Sequence, residues 1–385
     1  MSIVQNGGKC SFLFADGIVR LSFDKRARRL YDGIVMSEKS GRQNAAHTHG
    51  NVIRDGLIRK YGRRTGAAAQ KGGSMRILVF GAGVLGCNLA MNLFASGKDV
   101  TLLARGDWGR QIKENGLTIR YRFSFKKKTA KIPVISALAP QDIYDVIFVA
   151  ARFTQLDSVI RILGENASRH IVFVGNNTRA EQCAAALPEK NVMFAFASSA
   201  GHREKEYVSA IDLKRITIGR LKNAPSNAER IREIFDGTPY KVTYQPNMGD
   251  YLLSHAAFVV PCTFACYHTD GDLRKIGRNR EYIERIIRAN IEGYAALEKA
   301  GHAILPDNED FRSDHYRKIC RWLYTVMCLT PIGKICASDH AMNASEEMSA
   351  LNEDLKAIFR EAGAPFAQWT ELEKDAAKYL KKQGR

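Results

Sequence analysis

The sequence predicts an α/β Rossmann-type domain followed by an all-α domain. Three observations lead there. The apolar stretch Met75–Phe80 runs into Gly81-x-Gly83-x-x-Gly86 and then into a helix-forming stretch, Cys87–Ser96. Short apolar runs and helical patterns then alternate as far as about Thr243, which argues for a parallel sheet. Beyond that point the patterns are helical.

Each glycine in the loop has a separate reason to be glycine. Gly81 permits the tight turn, Gly83 lets backbone approach a pyrophosphate, and Gly86 lets helix and strand pack closely. The helix N-terminus offers unpaired N–H groups and a positive dipole end to phosphates. Gly81, Gly83, Val84, Leu85 and Gly86 are therefore expected to bind a cofactor.

The strands follow in order. Arg76–Phe80 is the first and Asp99–Ala104 the second, after a helix closed by Gly97. Leu117–Phe125 alternates apolar and polar residues, as a half-exposed strand does. Asp145–Ala150, Ile171–Val174 and Val192–Ala197 read as buried strands, and Ile216–Leu221 as a late one. Among the later helices, Asp250–Ala265 is apolar and carries Pro261. Arg280–Lys299 places Ile283, Ile286, Ile287, Tyr294 and Leu297 on one stripe and stops at Gly301. Glu346–Ala362 ends before Gly363 and Pro365. The expected division is a cofactor-binding domain over residues 75–243 and a helical substrate and dimerisation domain over 244–385. Ligands of such sheets bind outside the carboxyl ends of the strands, and a helical domain would close that cleft.

Strand two ends at Leu103-Ala104-Arg105. An NAD site usually has Asp or Glu here to accept from the ribose 2′-hydroxyl. Arg105 instead suits a 2′-phosphate, by charge and by its planar donor fork. NADP is the expected cofactor, with Asp107 two residues on as the feature that favours NAD.

Composition bounds the partners. The net charge is +18. Half of it, +9, lies in residues 1–74, where 14 Lys and Arg face 5 Asp and Glu. The excess left on the remaining 311 residues suits anionic small molecules as well as phosphate backbones, and no zinc-finger or RNA-binding pattern accompanies it. No nucleic-acid partner is expected. No apolar run is long enough for a bilayer span; Tyr251–Cys266 is the nearest and is interrupted by His255 and Pro261. Eight scattered cysteines, without metal-like spacing, read as reduced thiols of a cytoplasmic protein that holds no metal. Residues 1–74 lack sustained periodicity and end in a small, glycine-rich stretch. They are expected to be a disordered basic extension or a stretch translated from a misplaced start.

From Met75 nearly to its end the chain resembles the ketopantoate reductase (2-dehydropantoate 2-reductase) family. Besides the glycine loop, Val100–Arg105 resembles the family's second strand with its NADP-phosphate arginine. Glu114-Asn-Gly-Leu117 is similar to its short Glu-Asn-Gly-Leu stretch. Ala150–Gln155 sits where the family has Val-Lys-x-x-Gln, and Val174–Asn177 where it has Gln-Asn-Gly. Glu346–Asn352 resembles its Thr-Glu-Ile-x-x-Leu-Asn. The resemblance implies a cytoplasmic enzyme of the pantothenate-biosynthesis type, which reduces an α-keto acid with NADPH and is expected to form a homodimer. It implies that Asn176 lies near the nicotinamide ribose and substrate and that Glu347 orients the substrate hydroxyl. It places Gln155 at the cofactor, with Arg152 keeping the cation that is a lysine in the family.

The chain also departs from the pattern. The family's general-acid lysine lies in Lys-Leu-x-x-Asn; here the stretch is Tyr251-Leu-Leu-Ser-His255. Tyr251 and His255 stand at i and i+4, one helical face, so both are expected to point into the cleft. With a solution pKa near 10, Tyr251 is neutral, whereas His255 is partly protonated near neutral pH and is the better proton donor. The family's Pro-Ser-Ser-Met-Leu-Gln-Asp loop corresponds to Gly333–Asp339, where Asp339 matches but Ile335 replaces a serine that touches the substrate carboxylate. Lys334 and His340 are the groups nearby that would compensate. Two functions follow: a reductase of a keto acid or related carbonyl compound, or a catalytically impaired NADP-binding sensor or interaction protein of the same fold.

Overall fold

The computed structural model describes strands at residues 3–6, 9–14 and 17–21, then residues 75–122, 126–306 and 311–380. The first three, β1 (Ile3–Asn6), β2 (Lys9–Phe14) and β3 (Gly17–Leu21), form a small antiparallel sheet of their own. These strands fall within the stretch expected to be a basic extension, and that reading of residues 1–74 remains an expectation. Residues 22–74, to which the same expectation applies, lie outside the described residues.

Ten strands make the main sheet: β4 (Arg76–Phe80), β5 (Asp99–Leu103), β6 (Leu117–Tyr121), β7 (Lys127–Ala130), β8 (Val134–Ile135), β9 (Val146–Val149), β10 (His170–Val174), β11 (Asn191–Arg203), β12 (Val208–Gly219) and β13 (Lys241–Gln245). Their order is β7-β6-β12-β11-β10-β9-β4-β5-β8, with β13 also on β12. From β8 to β11 every neighbouring pair is parallel. The central strands are apolar throughout because both faces are covered. Side chains alternate between two cores: Ile77 and Val79 enter one, Leu78 and Phe80 the other. The second core continues without a break into the helical half, so both halves share one apolar interior.

Helix α1 (Val84–Ala95) is buried from Gly86 through Leu93, which fits its apolar sequence on all sides. The covering element is an arm of the sheet. A bulge between Ala197 and Ser199 bends β11, and Ser199–Arg203 pairs onward with Val208–Asp212, which in turn meets β6. Asn88 Nδ2 donates to Ser199 Oγ at 2.7 Å, and Asn92 Nδ2 donates to Asp212 Oδ2 at 2.6 Å. The sequence places the late strand only over Ile216–Leu221, because Asp212 and Lys214 interrupt the apolar pattern. The strand runs through them: Asp212 is paired with Asn92, and Lys214 takes a φ of +54° and donates to Asn92 Oδ1 at 2.7 Å.

The other helices of this half are α2 (Gly106–Asn115), α3 (Leu156–Glu165), α4 (Ala180–Ala185) and α5 (Ala228–Phe235). The chain then becomes helical: α6 (Met248–His268), α7 (Arg274–Gly277), α8 (Arg280–Lys299), α9 (Asp314–Leu329), α10 (Pro331–Gly333), a π-helical turn (Lys334–Ser338), α11 (Asp339–Asn343), α12 (Ser345–Glu361) and α13 (Ala367–Lys374). Side chains cap the long ones: Asn247 accepts from Asp250 N, Asn279 from Tyr282 N, and Ser313 from Tyr316 N. Pro261 lies inside α6 and has no N–H for the Ala257 carbonyl. Asn290 of α8 supplies the missing donor: its Nδ2 donates to Ala257 O and Phe258 O, each at 3.0 Å. Tyr324 of α9 donates to Asn290 Oδ1 at 2.6 Å and fixes that amide.

Candidate functional site

The glycine loop closes the carboxyl end of β4. Gly81 donates its N–H to Leu103 O at 3.1 Å and has a φ of +113°. A Cβ at Gly81 would lie 2.7 Å from Ala150 O, and one at Gly86 would lie 1.9 Å from Gly81 O. Both positions are closed to any side chain. Gly83 is different: a Cβ there meets nothing within 4 Å. Its residue is exposed, and its carbonyl starts α1 by accepting from Cys87 N at 2.9 Å. Packing therefore explains Gly81 and Gly86, while open space at the tip of α1 leaves room for a phosphate group at Gly83. Val84 and Leu85, half-buried, follow as the first residues of α1.

Arg105 stands just before α2 at the end of β5 and is exposed. Asp107, the rival feature for an NAD ribose, is ion-paired with Arg110. Trp108 of α2 donates its Nε1 to Ala82 O at 2.9 Å and so ties α2 to the glycine loop.

Two further loops leave the carboxyl ends of neighbouring strands. After β9 the chain turns at Arg152. Gln155 Oε1 accepts from Arg152 N at 3.3 Å, so the Gln155 side chain folds back on its own turn. After β10, Gly175 has a φ of +125°, and a Cβ there would lie 3.4 Å from Leu85 Cδ1. Asn176 follows. Its Nδ2 donates to Glu347 Oε1 at 3.2 Å, joining the sheet to the first turn of α12 across 171 residues of sequence. Asn176 Oδ1 is buried and meets no protein donor. A cavity of about 200 Å³ opens beside this contact, with Arg152 and Thr154 on one wall and Met342–Glu347 on the other. One guanidinium thus faces a helix start that carries Ser345, Glu346 and Glu347.

The α6 residues are not brought to that cavity. Tyr251 is 5% exposed and belongs to the shared core. His255 is half-buried and packs on Phe196 of β11, with ring centroids 4.0 Å apart and planes at 49°. Helix α6 is covered on more than one side, so residues at i and i+4 meet different surroundings. Asp339 lies within 3.5 Å of Arg122 Nη1 and 3.7 Å of His202 Nδ1. Ile335 is buried, Lys334 is exposed and His340 is half-buried. Among the described residues no group of three or more His, Cys, Asp or Glu is arranged to hold a metal. Nor is any described helix long and apolar enough to cross a membrane.

Sequence reasoning passed over Trp108, Thr178 and Asp354. Thr178 Oγ1 donates to Asp354 Oδ2 at 2.7 Å, and Arg179 Nε lies 3.4 Å from the same oxygen. The one available signal was the seven-residue spacing from Glu347 to Asp354, which puts both on one face of α12.

Residues 77–223 match the family described as ketopantoate reductase PanE/ApbA. Over this segment the chain is similar to that family. The solved structures agree in fold. The chain is 17% identical to 2-dehydropantoate 2-reductase from Geobacter metallireducens, covering 79% of this chain and 99% of that one, with a TM-score of 0.66. D-mandelate dehydrogenase, in a ternary structure with NADH and anilino(oxo)acetate, is 16% identical over 80% of this chain and 98% of its own, with a TM-score of 0.64. A dimeric ketopantoate reductase from Staphylococcus aureus is 15% identical over 80% and 99%, with a TM-score of 0.62. No curated protein matches the sequence significantly. The identities are low, and the structural likeness extends through both halves of the fold.

Proposed function

We propose that the chain is an NADPH-dependent reductase of an α-keto acid or a related carbonyl compound. The observation that carries this reading is the Asn176–Glu347 hydrogen bond, made beside Arg152 at the carboxyl ends of parallel strands. Gly83 and the start of α1 would receive the pyrophosphate, and Arg105 the 2′-phosphate. When bound, the dinucleotide supplies a hydride to the keto carbon. Arg152 offers a cation to the substrate carboxylate. Asn176, whose amide oxygen meets no protein donor, would hold Glu347 in place through its Nδ2, and Glu347 would accept from the substrate hydroxyl. The carbonyl oxygen needs a proton as it gains charge. Of the two α6 candidates, Tyr251 lies in the core and His255 packs on Phe196, so neither lines the cavity in this arrangement. Gln155, turned back on Arg152, supports that residue's placement.

The shared fold of D-mandelate dehydrogenase leaves the keto acid open beyond its class. A homodimer is proposed on the likeness to the dimeric Staphylococcus aureus protein, and a cytoplasmic location on the scattered thiols. The test is NADPH oxidation at 340 nm against a panel of α-keto acids; turnover of at least one is expected. Binding of NADPH without any turnover sinks the reductase reading. It would favour an NADP-binding sensor, the alternative that the buried tyrosine at the family's lysine position supports.

A further inference from the structure

We propose that Asp354 is a positioning residue that sets the Asn176–Glu347 contact, acting through Thr178 and Arg179; this rests on the reductase reading above. Helix α12 grips the loop after β10 at two points. Glu347 takes Asn176 and, two turns on and about 10 Å along the axis, Asp354 takes Thr178. The two loop residues alternate, so a shift of α12 by one turn would break both contacts. Arg179 extends the second grip. Its Nε lies 3.4 Å from Asp354 Oδ2 and its Nη1 3.7 Å from Asp157 Oδ2 of α3. Its guanidinium carbon lies 4.5 Å from the ring centre of Phe153, the residue after Arg152. One arginine therefore joins the β9 turn, the β10 loop and α12, the three elements that carry Arg152, Asn176 and Glu347. Burial pushes the Asp354 carboxyl up, against the pull of Thr178 and Arg179.

Asp354→Asn and Thr178→Val test this by different routes, and the second keeps the test open if the first fails to fold. Each is expected to lower kcat about tenfold, with the KM for NADPH within about twofold, because misplacement acts on the reacting geometry rather than on cofactor binding. Thr178→Ser keeps the hydroxyl and should restore wild-type turnover. Equal changes in kcat and in the KM for NADPH, or no rescue by serine, would overturn the assignment. Hydrogen exchange on the full chain supplies a readout free of turnover. Thr178→Val should speed exchange in residues 175–180 and 345–348 and leave β4 and α8 unchanged. Unchanged exchange in the two grip segments would also overturn it. Absence of turnover in the wild type sinks the reductase reading alone, and the exchange result then decides whether Asp354 pins the loop.

Discussion

Trp108 Nε1 donates to the carbonyl of Ala82 at 2.9 Å, inside the glycine loop. Trp108 stands three residues after Arg105, so this bond fixes the start of α2 against the loop. Gly109 tightens the arrangement: a Cβ there would lie 2.4 Å from Ala104 O, which presses α2 onto the end of β5. Arg105 is thus set at a constant place relative to Gly83.

Arg105→Ala should therefore weaken NADPH binding about 10- to 100-fold and leave NADH binding nearly unchanged, since only the charged 2′-phosphate contacts are lost. Fluorescence titration with both nucleotides measures it. Equal losses for the two would remove Arg105 from the 2′-phosphate.

Two of the loop glycines, Gly83 and Gly86, should separate in their effects. Gly86→Ala drives a Cβ into backbone 1.9 Å away and should cost about 3 kcal/mol of stability. Gly83→Ala meets nothing and should keep the wild-type Tm while losing NADPH affinity. Thermal unfolding with and without NADPH tells them apart; full affinity in Gly83→Ala would mean that no phosphate approaches there.

Glu347→Gln should lower kcat on the order of 100-fold with little change in NADPH affinity, because it keeps the shape of the Asn176 contact and removes the charge. Steady-state kinetics on the best keto acid of the panel decides it, and unchanged turnover would place Glu347 outside the chemistry.

The fold was most legible where burial alone sets the pattern. The ends of β4 and α8 could be read to the residue, because β4 is apolar on both faces and α8 has a cap, one stripe and a glycine stop. The arm of β11 and β12 was not legible. Its buried charge, Asp212, looks like a break until Asn92 of α1, 120 residues away, is seen to answer it. The site divides in the same way. Gly81 and Gly86 have a local steric reason, whereas Asn176 and Glu347 meet only through the tertiary fold and were named through a family resemblance. Tyr251 and His255 share a helical spacing, but spacing does not say which side of α6 is covered.

A pH dependence follows from Asp250. It accepts from His302 Nδ1 at 2.8 Å, Ala303 N at 3.0 Å and Asn247 Nδ2 at 2.6 Å. Burial pushes its carboxyl up, but these bonds outweigh that and hold it below the usual value. The Asp250 hydrogen bond raises His302 above its usual value, against burial. The His302 contribution is therefore complete below about pH 6.5 and is lost as pH rises through its raised value. The Asp250 contribution is complete above about pH 4 and is lost as pH falls through its lowered value. Urea unfolding at about pH 6 and about pH 8.5 should show a loss of stability in the wild type that His302→Gln reduces. An equal loss in both proteins would rule out the pair as its source.

Asn290→Ala should destabilise the chain by about 2–4 kcal/mol, because it strips the Ala257 carbonyl and the Tyr324 hydroxyl of their partner in a dry core. Denaturant unfolding measures it. A loss well under 1 kcal/mol would mean that neighbouring groups or water replace the amide.

Pro261 and Asn290 also constrain how this sequence can change. If the proline is replaced first, the new backbone N–H reaches the Ala257 carbonyl, and Asn290 becomes dispensable to that bond. If the asparagine is replaced first, the carbonyl has no donor. The order of change therefore decides whether the Ala257 carbonyl keeps a donor, while the Tyr324 hydroxyl loses its acceptor whenever Asn290 goes.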